Sequence, residues 1–372
     1  MSDGLRLSAD SHEADVAVQK GAAGNTLVSF APVDVTGLRE RIDGAEWSLW
    51  RYRAALPLRK GSEQWRKVSL GEGLTPLIDA GEGCPGLKLK LEYAMPTLSF
   101  KDRGAVLMVA KAKEWGVERL AADSSGNAGT AIAAYAARVG IACEIFVPAS
   151  TSAGKLLQME MHGARVHRVE GPRQAATDAA REFVEATGVF YASHVLNPYF
   201  FEGTKTYAYE IWEQLGYRAP HHVIVPVGHG TLVLGAYKGF LELLNAGYID
   251  AMPRIYAIQA VACAPIAEAF AANTAVGRVN AAGTVAEGIA IANPPRGMQI
   301  IEAVRATGGD IIALTDDAVR SAREELAFRG LFVEPTGAVS FAAYREIYRS
   351  RFAAGEISVA PLCGAGLKSP YR

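Results

Sequence analysis

From about Thr26 onward the chain alternates two patterns. Short runs of β-branched and aliphatic residues are followed by longer alanine-rich stretches whose apolar positions recur at helical spacing. Residues 120–140, "LAADSSGNAGTAIAAYAARVG", read as strand, loop and helix. Next come a strand in "IACEIFVP" (141–148), a helix in "SAGKLLQMEMHG" (152–163) and a strand in "ARVHRVE" (164–170). Further on, residues 221–247, "HHVIVPVGHGTLVLGAYKGFLELLNAG", give a strand, a glycine loop and a helix, and "PRIYAIQA" (253–260) gives another strand. Strands alternating with helices of this length predict an α/β fold of doubly wound, mostly parallel sheets covered on both faces. Residues 1–25 lack either period and are expected to form a flexible leader. No internal repeat or low-complexity tract interrupts the pattern.

Composition narrows the function classes. The 372 residues are 50% hydrophobic and 21% charged, with a formal net charge of −1, so no basic footprint invites nucleic acid. No run of 18 or more apolar residues is present, which argues against a membrane span. The four cysteines, Cys84, Cys143, Cys263 and Cys363, are scattered without Cys-x-x-Cys pairing, a pattern of reduced thiols and not of a disulfide framework or zinc site. The polar, acidic N-terminus lacks a signal-peptide core, and a cytoplasmic protein without a resident metal is expected.

In parallel α/β sheets, ligands bind beyond the carboxyl ends of strands, where loops lead into helix N-termini. Three loops have that character. In the first, Val223–Val227 run into Gly228, His229, Gly230 and Thr231 and then a helix, so bare backbone N–H groups and a helix dipole face one point, a cradle for phosphate. It has neither the Gly-Lys-Ser/Thr ending of a Walker loop nor the G-x-G-x-x-G of a dinucleotide fold. A tight turn serving packing alone also explains it. In the second, Ser124, Ser125, Asn127 and Thr130 crowd around Gly126 and Gly129, suiting a carboxylate or other oxyanion; an ordinary helix cap with spare polar residues is the alternative.

The third loop is "PTLSFKDRGAVLMVAKAKEWG", residues 96–116, where Lys101 stands at the mouth of an apolar helical run. A solvated cation is the bland explanation. Yet lysine is unfavourable at the positive end of a helix dipole, and that setting, with desolvation, makes an amine a better Schiff-base nucleophile. A Schiff-base lysine, a phosphate cradle and an oxyanion loop in one sheet architecture point to pyridoxal 5'-phosphate more readily than to a nucleotide.

These motifs carry a family resemblance. "PTLSFKDRG", "SSGNAGTAIAAYAARVGI", "PVGHGTLVLGAYKGF" and "LCGAGLKSP" occur in the order found in pyridoxal-phosphate enzymes of the tryptophan-synthase-beta fold, fold type II, and the chain most resembles threonine synthases. Supporting stretches are "SLGEGLTPL" (69–77), "GKLLQMEMHGARV" (154–166), "NPYFFEGTKTYAYEIWEQLG" (197–216) and "EPTGAVSFAAY" (334–344). The resemblance implies two sheets with the cofactor in the cleft between domains: an N-terminal domain over 26–199, with a mobile part near 103–185, and a large C-terminal domain over 200–372 carrying the phosphate loop. It implies that Lys101 forms the Schiff base and shuttles protons and that Asn127 bonds the cofactor's ring hydroxyl. Gly228, His229, Gly230 and Thr231 would hold its phosphate, and Cys363 would face the ring nitrogen where the family has threonine. Ser124, Ser125 and the backbone at Ala128 and Gly129 would receive the substrate, with Glu72, Gly73 and Thr75 facing it. Lys155, Lys205 and Lys368 lie outside the lysine motif. The family often assembles as homodimers, so a homodimer acting on a small amino acid is expected.

Departures from the family pattern bear on the substrate. Met95 and Leu98 replace an asparagine and a glycine, and the phosphate loop reads Gly-His-Gly-Thr in place of Gly-Asn-Gly-Gly. Leu98 and Ala365 make the pocket more apolar. The leading expectation is conversion of O-phospho-L-homoserine to L-threonine. The alternative is a related β-elimination or β-replacement on a serine-type substrate, such as a dehydratase, ammonia lyase or cysteate-synthase-like enzyme. A nucleotide-binding regulatory protein explains the glycine loops but not the setting of Lys101.

Overall fold

The alternating pattern folds into two main sheets, one of six strands and one of four. A computed structural model describes residues 5–7, 27–151, 153–280 and 282–369. The chain divides into two compact units: the part up to Gly73 together with Lys101–Thr204, and Leu74–Phe100 together with Lys205 onward.

The first unit is built on a four-stranded, wholly parallel sheet. Strands β1 (Leu5–Leu7) and β2 (Val28–Phe30) form a separate parallel pair, so three residues of the expected leader are a strand and the remainder of it lies outside the described residues. The main sheet, in the order β7-β6-β5-β8, uses β5 (Arg119–Ala122), β6 (Ala142–Pro148), β7 (Arg165–Val169) and β8 (Phe190–Tyr191). Parallel neighbours need crossover helices. Asn127–Arg138, Ala153–Met161 and Arg173–Thr187 supply them, the last closed by Gly188 in a left-handed conformation (φ 69). The core runs through the helix Lys101–Glu114, whose residues from Asp102 to Ala112 are buried.

That degree of burial requires close helix contact. A Cβ on Gly104 would lie 2.3 Å from Phe200 Cδ1, and one on Gly203 would lie 2.0 Å from the Arg103 carbonyl oxygen. Glycine is required at both positions for the backbones to approach. The two most specific stretches of the sequence, "SFKDRG" and "EGTKT", therefore meet in one crossing of the helices Lys101–Glu114 and Pro198–Thr204.

The second unit carries six strands in the order β11-β10-β9-β12-β4-β3: β3 (Leu77–Asp79), β4 (Leu87–Lys90), β9 (His222–Pro226), β10 (Arg254–Ala260), β11 (Asp310–Leu314) and β12 (Ser358–Pro361). All pairs are parallel except β3 with β4. The sequence reading placed residues 26–199 in one domain. Residues 74–100 belong instead to the second unit, because β4 pairs with β12 through Leu87↔Ser358 and Pro361↔Lys90. Among the described residues, no helix is long and apolar enough to cross a membrane.

Candidate active site

Each unit presents loops at the carboxyl ends of its strands. In the first unit, Lys101 is the first residue of its helix and is partly buried, with Nζ 5.8 Å from the centroid of the Phe200 ring. The next two residues, Asp102 and Arg103, are fully buried. A charged triplet thus enters the helix with the lysine at its outer end.

The loop after β5 leads to Asn127, first residue of a 12-residue helix whose cap, Gly126, offers no side-chain acceptor. Ser124 is buried, while Ser125, Gly126 and Asn127 are partly exposed. The Gly126 N–H donates to Ser124 Oγ at 3.4 Å. A Cβ on Gly129 would lie 2.0 Å from the Ser124 carbonyl oxygen, so this first turn, with Ala128 buried beside it, folds back on the loop only with glycine there. Asp123 anchors the base of the loop, accepting from Thr177 Oγ1 at 2.7 Å and the Tyr191 hydroxyl at 2.8 Å. A helix N-terminus without a side-chain cap, flanked by hydroxyls and an amide, suits an anion.

Glu72 sits elsewhere in the same unit and is fully buried. Its Oε1 accepts from Trp50 Nε1 at 2.6 Å and Ser69 Oγ at 3.1 Å. Its Oε2 accepts from the Leu70 N–H at 2.7 Å and the Tyr135 hydroxyl at 3.2 Å. Burial pushes this carboxyl up to about 7, and the charge of Asp102 adds to the effect, against donors that favour the ionised form. The side chain is thus engaged inside the unit, not aimed at an open surface. Sequence reasoning missed its partners. Tyr135, an aromatic in an otherwise alanine-rich helix, and Asp102, beside the lysine, were the available signals.

In the second unit β12 pairs with β9 through Ser358↔His222 and Val359↔Val223; Cys363 lies two residues beyond the end of β12, and Val227 directly follows β9. Gly228 follows, packed so that a Cβ would lie 2.9 Å from Ile291 Cγ1 and 3.0 Å from Ile289 Cα. Gly230 caps the helix Thr231–Asn245 in a left-handed conformation (φ 80), with no side-chain cap, and a Cβ there would lie 2.3 Å from Ile300. His229 is partly buried and Thr231 buried. The backbone is therefore held bare at a helix N-terminus.

Cys363 is 1% exposed, and the chain around it forms a short ladder with the residues just before Lys101. Phe100 N–H donates to the Cys363 carbonyl at 3.0 Å, and Ala365 N–H to the Leu98 carbonyl at 3.1 Å. Leu98, where the family pattern has glycine, keeps a left-handed backbone (φ 64). Ser99 is fully buried, and among the described residues its Oγ has no hydrogen-bond partner. Thr75 is nearly buried and donates its hydroxyl to Glu92 Oε1 at 2.7 Å, while its carbonyl accepts from Lys90 Nζ at 2.5 Å and Gln214 Nε2 at 2.9 Å.

Other lysines are committed elsewhere. Lys205 is fully buried and paired with Glu242 at 3.1 Å, and Lys368 Nζ donates to the Thr97 carbonyl at 2.7 Å. The side chain of Lys155 lies outside the described residues. Among the described residues, no group of three or more His, Cys, Asp or Glu side chains is placed to hold a metal ion.

Each unit, taken by itself, carries groups suited to part of a phosphorylated pyridine aldehyde. The second unit offers bare backbone at a helix N-terminus, a buried thiol and the orphaned Ser99 hydroxyl; the first offers a lysine amine and an amide at a helix start. Comparison with known proteins agrees. Residues 68–364 match the family model described as "Pyridoxal-phosphate dependent enzyme". A threonine synthase from Methanocaldococcus jannaschii is 37% identical over 341 residues, covering 89% of this chain and 83% of that protein. One from Mycobacterium leprae is 35% identical over 328 residues, covering 86% and 88%. The fold is shared with the solved processed form of threonine deaminase isoform 2 from Solanum lycopersicum. That structure superposes with a TM-score of 0.68 at 24% identity, over 78% of this chain and 79% of that one. With the family model spanning most of its length and threonine synthases aligned along nearly all of it, this chain belongs to the pyridoxal-phosphate-dependent enzymes of fold type II.

Proposed function

We propose that the protein is a threonine synthase, converting O-phospho-L-homoserine and water to L-threonine and phosphate, with Lys101 as its catalytic residue. The observation that carries this reading is the 37% identity to a threonine synthase across 89% of the chain. When bound, pyridoxal phosphate supplies a conjugated ring that takes up electron density from an amino acid's α-carbon.

The chain's own residues supply the rest. Lys101 Nζ would hold the cofactor's carbonyl carbon and, once the substrate's amine has taken its place there, would carry the substrate's α-proton. The backbone N–H groups from Gly228 to Thr231, with their helix N-terminus, would hold the cofactor phosphate. The Asn127 amide would donate to the ring hydroxyl oxygen. Cys363 would offer the ring nitrogen only a weak donor and would leave it largely without a proton. Ser124, Ser125 and the backbone at Ala128 and Gly129 take the substrate carboxylate. A cytoplasmic setting is part of the proposal, supported by four cysteines that are all buried and outside any disulfide.

The test is phosphate and keto-acid release by the wild-type protein and Lys101→Ala, given O-phospho-L-homoserine and L-serine in parallel. Phosphate and threonine from the wild type, and neither from the variant, is the expected result. Keto acid from L-serine, with no phosphate from O-phospho-L-homoserine, would move the protein to β-elimination chemistry.

A further inference from the structure

The apolar run of β10 carries a buried amide near its end. Gln259 is fully buried, and its side chain is engaged at both ends. Its Oε1 accepts from the Ile266 N–H at 2.9 Å and the Ala267 N–H at 3.0 Å, while its Nε2 donates to the Val227 carbonyl at 3.4 Å. Two backbone donors facing one end of the amide identify that end as the oxygen, which leaves the nitrogen toward Val227. Ile266 and Ala267 lie in the first turn of the helix Pro265–Ala272, whose cap, Ala264, has no side-chain acceptor. Gln259 therefore satisfies N–H groups that the helix cannot pair for itself.

Val227 is the residue before the glycine turn. Its own N–H donates to the Ile258 carbonyl at 2.8 Å, so its backbone is held on both sides. The peptide that joins Val227 to Gly228 is trans and planar, so its C=O and N–H point in opposite directions. Holding the Val227 carbonyl toward Gln259 therefore turns the Gly228 N–H away from it. Gly228 and Gly230 are both buried, and among the described residues neither N–H has a protein acceptor. Buried backbone donors are rarely left unpaired, so these two point to an acceptor that a ligand supplies.

We propose that Gln259 is a positioning residue for the cofactor phosphate: it ties the start of the helix Pro265–Ala272 to the Val227 carbonyl and thereby aims the Gly228 N–H into the cradle. It acts through Val227 and not by contact with the cofactor. This rests on the reading of residues 228–231 as the phosphate loop.

Two variants separate the two ends of the amide. Gln259→Glu keeps an oxygen for the Ile266 and Ala267 N–H groups but sets a second acceptor against the Val227 carbonyl; Gln259→Met removes both functions. In cofactor-free protein, NMR with isotope labels on valine carbonyls and glycine nitrogens reads the Val227–Gly228 peptide. Its signal is expected to move in both variants, whereas the Ile266 and Ala267 amides lose protection from hydrogen exchange only in Gln259→Met. In the loaded protein, both variants are expected to weaken pyridoxal-phosphate binding by about tenfold, the scale of one hydrogen bond, and to shift the phosphorus NMR signal of the bound phosphate. A Val227–Gly228 signal unmoved in Gln259→Glu overturns the proposal, as does unchanged cofactor affinity with an unchanged phosphorus signal. Effects confined to Gln259→Met would make Gln259 a helix cap alone and overturn it equally. Failure of the wild type to bind pyridoxal phosphate would strike the cofactor reading, while the peptide signal, which needs no cofactor, still decides whether Gln259 orients the turn.

Discussion

Two buried glutamates make opposite electrostatic arrangements. Among the described residues, Glu72 of the first unit pairs with no cation: indole, hydroxyl, amide and phenol donors surround it, with Asp102 nearby. Glu210, in the second, accepts from the Leu74 N–H at 2.9 Å and from the Lys90 ammonium at 2.8 Å, in an ion pair with both side chains fully buried. Both glutamates are fully buried. Burial is therefore not what separates them; the partners are. Neutral donors leave the Glu72 carboxyl able to titrate near neutrality, whereas a compensating cation makes a fixed charge pair of high structural consequence.

The largest effect is expected on the ion-paired side. Lys90→Met leaves Glu210 charged and buried without its cation, and removes a donor from the Thr75 carbonyl. Breaking a buried pair on one side costs about 3–5 kcal/mol. Chemical denaturation should show that loss, and the double variant Lys90→Met/Glu210→Leu should recover most of it. A single-variant loss below about 1 kcal/mol would mean the pair is not held as described.

The next effect is a pH dependence at Glu72. Its carboxyl rises from 4.5 in the unfolded chain to about 7 in the folded one, so between those values the folded state binds the extra proton. Stability from this group is full below 4.5 and is lost as pH rises through about 7, a difference of about 3 kcal/mol. The unfolding free energy of the wild type, measured from pH 4.5 to pH 8, should therefore carry a falling component that Glu72→Gln lacks. Parallel pH profiles for the two proteins would contradict the comparison.

A smaller effect sharpens it. Trp50→Phe removes the indole donor at 2.6 Å and should cost about 1–3 kcal/mol above pH 7, where the carboxylate is charged. At pH 5 the cost should shrink. An equal cost at both values would mean that lost packing, not the charged acceptor, sets the penalty.

Much of the molecule was legible from local pattern. The alternation of apolar runs marked the strands at 142–148, 222–226 and 254–260, because those parallel strands are mostly buried and continuous, and the β-branched run at 165–169 marked a half-exposed one. The glycine turn before Thr231 and the position of Lys101 at a helix start were legible because turns and helix starts are written in consecutive residues. What could not be read is long-range. Residues 74–100 join the second unit through pairing with a strand about 270 residues later, which no neighbouring residue announces. Glu72 was readable as a motif residue but not as a buried one, since its partners Trp50 and Tyr135 come from distant elements. Leu98 shows the reverse case: the change from glycine was visible, but not that the backbone keeps φ 64 despite it. Leu98→Gly should relieve about 1–2 kcal/mol of left-handed strain, partly offset by glycine's greater unfolded freedom. A destabilisation above about 1 kcal/mol would show that Leu98 packing outweighs that strain.

The central claim is that Lys101 carries the cofactor. Borohydride reduction of the pyridoxal-phosphate-loaded protein, followed by peptide mass mapping, tests it most directly. The account predicts the pyridoxyl phosphate adduct on the peptide containing Lys101. An adduct on Lys155, Lys205 or Lys368, with Lys101 unmodified, would contradict it.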